Sequence, residues 1–243
     1  HFPSCKEYEN RIIQMGEFPG QVHNVGSLGV ENIRNLKLME LKELESSIGF
    51  KLDKPFFLIT FHPVTLENNC SSEQFGQLLE ALDQYPSHKF IFTGSNADMG
   101  GRRINQMQND YMQKHRDQCL VVQSLGNLKY LSAMKFCNAV IGNSSSGIIE
   151  APALKVPTIN IGDRQKGRVR TQSIMDCEPL KKSILKALKK ISDSCFQIDI
   201  KNMDIPFDKP DTAKMIKNML QKADLNNILK KEFNDIEYQS QTD

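Results

Sequence analysis

The sequence predicts an α/β fold in which a parallel sheet carries helices on both faces. Short apolar runs alternate with helical patterns along most of the chain, as in proteins built from strand–helix–strand units. The runs are nearly continuously apolar, which is typical of strands buried on both sides. Ligands of such sheets bind beyond the carboxyl ends of the strands. The predicted strands are Val22–Gly26, Pro55–Phe61, Lys89–Thr93, Leu120–Gln123, Asn138–Gly142 and Thr158–Ile161.

Amphipathic patterns predict helices between and after these strands. Phe75, Leu78 and Leu82 fall on one face of a helix within residues 71–85. Residues 180–191 repeat the pattern, and their lysines are expected on the solvated face. The last two predicted helices are Thr212–Lys222 and Asn226–Phe233.

The composition is that of an ordinary globular protein. The 243 residues carry a net charge of +2, so no global field attracts the chain to nucleic acid or to a membrane. No apolar run approaches the roughly 18 residues of a membrane span, and no signal peptide is visible. The six cysteines form no CxxC pair and lie near no histidine at metal-ligand spacing. We therefore expect buried thiols, no metal and a cytoplasmic location.

Polar residues follow the predicted strands at the edge where ligands bind. His62 comes directly after the second predicted strand, and Pro63 restricts the backbone behind it. An imidazole there is either structural or able to serve a phosphate as acid or base. Asn96 follows the third strand, in a loop that either reaches the same crevice or simply forms a turn. Ser124–Gly126 and Tyr130 follow the fourth strand and suit a nucleobase, although Tyr130 fits a core position equally well.

The stretch Val140–Ala151, VIGNSSSGIIEA, predicts an anion site where a strand passes into a helix. Ser144–Ser146 and Gly147 are small, and the amides of a helix N-terminus attract negative charge. One serine or asparagine is enough to cap a helix, and three serines exceed that need. Glu150 follows about one turn later, where a carboxylate suits a pair of hydroxyls such as those of a ribose.

A basic loop, GDRQKGRVR, follows the last predicted strand over residues 162–170. Its four basic side chains stand out in a nearly neutral chain. They are either ordinary surface charges or, beside the anion site, ligands for phosphate, which arginine binds through paired N–H groups.

These stretches together resemble a known family. FHPVTLEN, SNADMGGR, VHNVGSLGVENI and above all GNSSSGIIEAP…VPTINIGDRQKGR are similar to the hydrolysing UDP-N-acetylglucosamine 2-epimerases, most of all to their sialic-acid-pathway branch. The resemblance extends to about Leu220. It implies a GT-B-type fold of two Rossmann-like domains with the UDP-sugar between them, and no metal or nicotinamide cofactor. It also implies a reaction: UDP is eliminated to give a glycal, and water then adds to release N-acetylmannosamine.

The resemblance also implies roles for eight residues. They are His62 as an acid or base near the diphosphate, Asn96 in the cleft, Leu125 and Tyr130 beside the uracil, Ser144 and Ser145 on the diphosphate, Glu150 on the ribose hydroxyls and Arg164 on the phosphate side. Ser146 receives no role of its own.

The resemblance further implies that much of the catalytic set lies outside this chain. Residues 1–35 would be the end of an N-terminal domain and a hinge, residues 36–205 the UDP-binding domain, and residues 206–243 helices that cross back. The acidic residues that handle the C2 proton would belong to the missing domain. We therefore expect this chain alone to bind UDP weakly and not to turn over UDP-N-acetylglucosamine. Members of the family commonly form homo-oligomers.

Three alternatives remain open from the sequence. The sugar could be a 4-acetamido-6-deoxy relative of the kind used for legionaminic-type acids. The chain could belong to a GT-B glycosyltransferase, whose nucleotide domain uses the same crevice but needs an acceptor. It could also be a UDP-binding module without catalysis, which would retain its function when His62 is replaced.

Overall fold

The structure is a computed structural model that describes residues 1–64, 70–96, 100–226 and 230–235. Its internal contacts divide the chain into two compact units. One unit joins His1–Asn35 to Ile205–Asp243, and the other is Leu36–Asp204. The second unit contains the sheet and every residue for which a site role is predicted.

Six parallel strands form one sheet. In chain order they are β1 Phe56–Thr60, β2 Lys89–Thr93, β3 Cys119–Val122, β4 Ala139–Gly142, β5 Thr158–Ile161 and β6 Ile174–Cys177. Their spatial order is β3-β2-β1-β4-β5-β6, so the chain builds one half of the sheet and then returns to the other side of β1. The predicted parallel α/β architecture is confirmed.

The described residues contain ten α-helices. In chain order they are α1 Lys6–Gln14, α2 Leu28–Asn35, α3 Leu41–Ile48, α4 Ser71–Leu82, α5 Gly101–Lys114, α6 Gly126–Phe136, α7 Ser146–Ala153, α8 Lys181–Ile191, α9 Ser194–Asn202 and α10 Thr212–Lys222. A short 3₁₀ turn, Pro19–Gln21, follows α1. The helix predicted at Thr212–Lys222 is confirmed.

Alternate residues of β1 point to opposite faces of the sheet, and both faces are buried. Phe57 and Ile59, together with Phe61 just after the strand, belong to the core formed with α4, α5, α8 and α9. Phe56 and Leu58 belong to the core formed with α3, α6 and α7. Since both faces are covered, the strand is apolar at every position but its last, which explains the continuous run in the sequence.

Two predicted elements are wrong, and one strand was not predicted. Residues 22–26 form no strand: the amides of His23 and Val25 donate to the carbonyls of His1 and Pro3, and the amide of Val22 donates to Pro19 in the preceding 3₁₀ turn. Residues 230–233 are not helical, and residues 227–229 of that predicted helix lie outside the described residues. Strand β6 was missed because Asp176 interrupts its apolar run at the sheet edge.

The cysteines differ from expectation in their exposure. None of the six forms a disulfide, but Cys70 and Cys195 are exposed, whereas Cys5, Cys119 and Cys137 are buried. Among the described residues, no helix is long and apolar enough to cross a membrane.

Candidate functional site

The candidate site lies where the strand order reverses, between β1 and β4. These neighbours lead into loops on opposite halves of the sheet, because β1 continues through α4 to β2 and β4 continues through α7 to β5. The diverging loops leave a crevice at the carboxyl ends of the strands, which is the usual ligand position in open α/β sheets. His62 follows β1 and Asn143 follows β4, so the fold brings together residues 81 positions apart.

Asn143 binds the backbone of His62 with both ends of its side-chain amide. The His62 N–H donates to Asn143 Oδ1 at 2.8 Å, and Asn143 Nδ2 donates to the His62 carbonyl at 2.8 Å. Asn143 is 1% exposed, so these two bonds are shielded from competing water. They hold the loop after β1 against the loop after β4. No role for Asn143 follows from the sequence, because its partner is distant in the chain.

The His62 ring is oriented by the loop after β2. The Asn96 backbone N–H donates to His62 Nδ1 at 3.1 Å. A neutral imidazole that accepts a hydrogen bond at Nδ1 carries its proton on Nε2. This tautomer makes Nε2 the proton-donating position of the ring. Asn96 therefore lies beside His62, and its backbone amide makes this contact.

The serine loop, Ser144–Ser146 at the start of α7, presents unpaired backbone amides. Ser145 is the N-cap of α7, and the amides of Gly147 and Ile148 already bond within the first turn, to the carbonyls of Ser144 and Ser145. Within the described part of the chain, the amides of Ser144 and Ser145 have no such partner. Adjacent N–H groups at the positive end of a helix dipole favour an anion. The amides available to an anion are therefore those of Ser144 and Ser145, just before the first turn of α7.

The three serine side chains are not equivalent. Ser146 Oγ lies 2.6 Å from the Tyr130 hydroxyl oxygen and donates to Ser144 Oγ at 3.1 Å. Ser145 makes no such side-chain contact among the described residues. Tyr130, predicted to flank the uracil with its ring, thus engages the serine loop through its hydroxyl.

Arg164 is placed at the same strand end by Asn143. The Asn143 carbonyl accepts from Arg164 Nη1 at 3.0 Å and from Gln165 Nε2 at 2.8 Å. Gln165 is 2% exposed, whereas Arg164 is exposed and has four further N–H donors for an anion. Arg170 bonds to the Asp176 carboxylate instead, at 3.0 Å, and anchors the basic loop to β6.

Glu150 lies one turn into α7 and is partly buried. Burial raises the pKa of its carboxyl above the ordinary value. A diol that hydrogen-bonds to this carboxylate would replace part of its lost hydration. The environment therefore suits a ligand that donates two hydroxyl groups.

A cavity of about 380 Å³ opens at the carboxyl ends of β1 to β4. Its lining includes three of the predicted site residues, Leu125, Tyr130 and Ser144, together with Thr60 and Thr93. Larger cavities lie elsewhere: one of about 610 Å³ beside β6 and α8, and two of about 460 and 750 Å³ among residues of the first unit. Among the described residues, no three His, Cys, Asp or Glu side chains are grouped as a metal site would require.

Sheet order and site position together define the Rossmann-like α/β class, whose members bind nucleotides where the strand order reverses. The chain belongs to the UDP-N-acetylglucosamine 2-epimerase family, whose family model matches residues 1–221. This confirms the family inferred from the sequence blocks.

Curated relatives cover nearly the whole chain. The GDP/UDP-N,N'-diacetylbacillosamine 2-epimerase (hydrolyzing) of Campylobacter jejuni is 42% identical over 237 residues, which are 97% of this chain and 61% of that protein. The polysialic acid biosynthesis protein P7 of Escherichia coli is 41% identical over 210 residues, 86% of this chain and 53% of that protein. The chain thus spans between half and two thirds of the length of these relatives.

Solved structures show the same fold at low identity. The UDP-GlcNAc 2-epimerase from Neisseria meningitidis bound to UDP-GlcNAc superposes with a TM-score of 0.76 at 17% identity, over 92% of this chain and 61% of that one. The Methanocaldococcus jannaschii UDP-GlcNAc 2-epimerase in complex with UDP-GlcNAc and UDP gives 0.70 at 17% identity, over 91% and 60%.

Proposed function

We propose that this chain forms the UDP-binding part of a hydrolysing UDP-sugar 2-epimerase. The observation that carries the proposal is the hydrogen-bonded link, through Asn143, between His62 and the serine loop at the reversal of strand order. This link supports the proposal that His62 acts as an acid or base beside a bound anion. An elimination that expels a diphosphate needs that combination.

In the proposed complex, the diphosphate lies against Ser144 and Ser145, with Arg164 on its other side. The two serine amides, the helix dipole and the exposed guanidinium all favour negative charge. Glu150 accepts hydrogen bonds from the ribose hydroxyls. The uracil enters the cavity lined by Leu125 and Tyr130.

His62 is proposed to protonate the departing diphosphate from Nε2. As the C1–O bond breaks, a base removes the C2 proton and a C1=C2 double bond forms. Water then adds hydroxyl to C1 and a proton to C2, on the face that inverts the C2 centre, and the free sugar is released. Acidic residues for the C2 steps are proposed to lie in the part of the longer protein outside this chain.

Two sugars are compatible with this chemistry. With UDP-N-acetylglucosamine the product is N-acetylmannosamine, which feeds sialic-acid-type synthesis; the name of the Escherichia coli relative supports that direction. The Campylobacter jejuni and Legionella pneumophila relatives are named for diacetylbacillosamine, which supports a 4-acetamido-6-deoxy sugar instead. A homo-oligomer and a cytoplasmic location also belong to the proposal.

Calorimetry with UDP, UMP and uridine tests the nucleotide site. We expect the 243-residue chain to prefer UDP over UMP by about tenfold, because the second phosphate adds charge-assisted hydrogen bonds. Ser144→Ala combined with Ser145→Ala should remove most of that preference. Ser192→Ala serves as the matched control, because the Ser192 hydroxyl at the end of α8 donates to the Leu188 carbonyl of the same helix.

Equal affinity of the unaltered chain for UDP and UMP would contradict the diphosphate site. Release of UDP from the UDP-sugar by this chain alone would contradict the proposal that the C2 chemistry lies outside it. In the longer protein, His62→Ala separates an enzyme from a binding module, and turnover that continues unchanged excludes the catalytic role. Turnover with water alone distinguishes the epimerase from a glycosyltransferase, which needs an acceptor.

A further inference from the structure

Three hydroxyl groups form a chain that ends at the proposed diphosphate position. The oxygen of the Tyr130 hydroxyl lies 2.6 Å from Ser146 Oγ, and Ser146 Oγ lies 3.1 Å from Ser144 Oγ. All three residues line the same cavity at the carboxyl ends of the strands. The proposed function uses only the last of these hydroxyls as a ligand contact, so Ser146 and the hydroxyl of Tyr130 need a separate explanation.

The chain of hydroxyls has a direction. A hydroxyl group has one proton, and Ser146 Oγ donates its proton to Ser144 Oγ. In its bond with Tyr130, Ser146 must therefore accept, and the tyrosine hydroxyl must donate. Donation thus runs from Tyr130 through Ser146 to Ser144.

Ser144 Oγ is left able only to donate. It accepts from Ser146 Oγ and also from the Ser146 backbone N–H, at 3.4 Å. These two bonds occupy both of its acceptor positions, and its own proton remains for a further partner. A group that can only donate is matched by an acceptor-only partner, such as a phosphate oxygen.

We propose that Tyr130 and Ser146 are positioning residues that hold the Ser144 hydroxyl as a hydrogen-bond donor to the diphosphate. The inference rests on the proposed function and assigns Tyr130 a role through its hydroxyl in addition to its ring. Hydrogen bonds in series polarise one another, so the terminal donor is strengthened by the two bonds behind it.

The ionisation of Tyr130 supports this direction. Burial raises the pKa of its hydroxyl, and this effect outweighs the opposing hydrogen bonds with Ser146 and Thr60. The phenol therefore keeps its proton at neutral pH. A phenolate would accept rather than donate, and the hydrogen bond between Tyr130 and Ser146 would run in the opposite direction.

Tyr130→Phe tests the inference, since it removes the hydroxyl and keeps the ring. We expect UDP to bind about tenfold more weakly, the loss associated with about one strong hydrogen bond, while uridine binds as before. Ser146→Ala should have the same effect. The matched control is Tyr111→Phe, in which a buried tyrosine loses a hydroxyl that donates to Asp83 at 2.8 Å, away from the site. This control should leave UDP affinity unchanged.

A double variant measures whether Tyr130 acts through Ser144. If it does, Tyr130→Phe should weaken UDP binding little further once Ser144→Ala is present, because coupled residues are not additive. Full additivity would contradict the inference. So would wild-type UDP affinity in Tyr130→Phe, or an equal loss for UDP and uridine, which would assign Tyr130 to the base or to folding.

Pyrophosphate separates failure of this inference from failure of the proposed function. A chain that binds pyrophosphate but not UDP contradicts the nucleotide site, and the same variants then test the donor on pyrophosphate. A chain that binds neither anion overturns both proposals.

Discussion

Asn143 is one side chain that holds two loops together, through its paired bonds to the backbone of His62. Its carbonyl also positions Arg164. A single residue thus links the proposed acid, His62, to both sides of the proposed anion position. This accounts for an asparagine at a buried strand end, where an unpaired amide would be costly.

Replacing Asn143 should therefore affect stability and binding together. Asn143→Ala leaves the N–H and carbonyl of His62 without these partners, so we expect the free energy of unfolding to fall by about 1–3 kcal/mol. UDP affinity should fall as well, as measured by calorimetry. Asn138→Ala is the control, because Asn138 accepts from the Phe56 N–H at the opposite end of the same strand pair. An equal effect of both variants on UDP affinity would count against the positioning role.

The buried charge of Glu150 is predicted to lower the free energy of unfolding at neutral pH, while the same carboxylate serves ligand recognition. Its pKa is raised above 4.5 by burial, so from pH 4.5 up to the folded-state pKa the folded chain binds more protons than the unfolded chain. Stability therefore falls as the pH rises through that window.

Glu150→Gln removes this charge. We expect the variant to be more stable than wild type at neutral pH, to lose that advantage below about pH 4.5, and to bind UDP about tenfold more weakly because a charged acceptor is lost. Urea unfolding at several pH values and calorimetry check both effects. Glu43→Gln, which alters an exposed glutamate of α3, should show neither. A pH-independent gain in stability would contradict the account.

At the scale of elements, the close approach of β1 and β4 depends on Gly142. This residue pairs with Thr60 and has a φ of +133°. A Cβ added there would lie 1.9 Å from the Thr60 carbonyl oxygen. The two strands that flank the site can therefore pair to their ends only if this residue lacks a side chain.

Gly142→Ala should lower the free energy of unfolding by about 3–5 kcal/mol, since both backbone strain and a clash with a neighbouring strand result. Gly162→Ala separates the two causes. Gly162 has a φ of +72°, but a Cβ added there would meet only open space, so about 1–2 kcal/mol is expected from its backbone alone. Urea denaturation measures the free energy of unfolding of both variants. Equal losses would show that the clash at position 142 is relieved.

The elements were predicted where their pattern is local. Continuous apolar runs located β1, β2, β4 and β5, and the helical period located α4, α8 and α10. The edge strand β6 was missed, because an edge position needs no continuous apolar run. Residues 22–26 have an apolar pattern but too little backbone pairing to form a strand. Pairing depends on distant residues, which a local pattern does not specify.

At the scale of the molecule, the order of the strands decides where a site can form. Because β4 returns beside β1, the loops that carry His62 and Ser144 meet, although β2, β3 and their helices separate them in the chain. The same order explains why Leu125 and Tyr130, after β3, line a cavity with residues that follow β4.

The sequence by itself determined the parallel α/β class, the family and the polar residues that follow each strand. These features are carried by local apolar patterns and by contiguous sequence blocks. Only the tertiary structure decided that Asn143 binds His62, that Gln165 contacts the Asn143 carbonyl, and that donation runs from Tyr130 to Ser144. Hydrogen bonds between distant residues depend on strand order and on atomic distances. Neither can be inferred from the local sequence pattern.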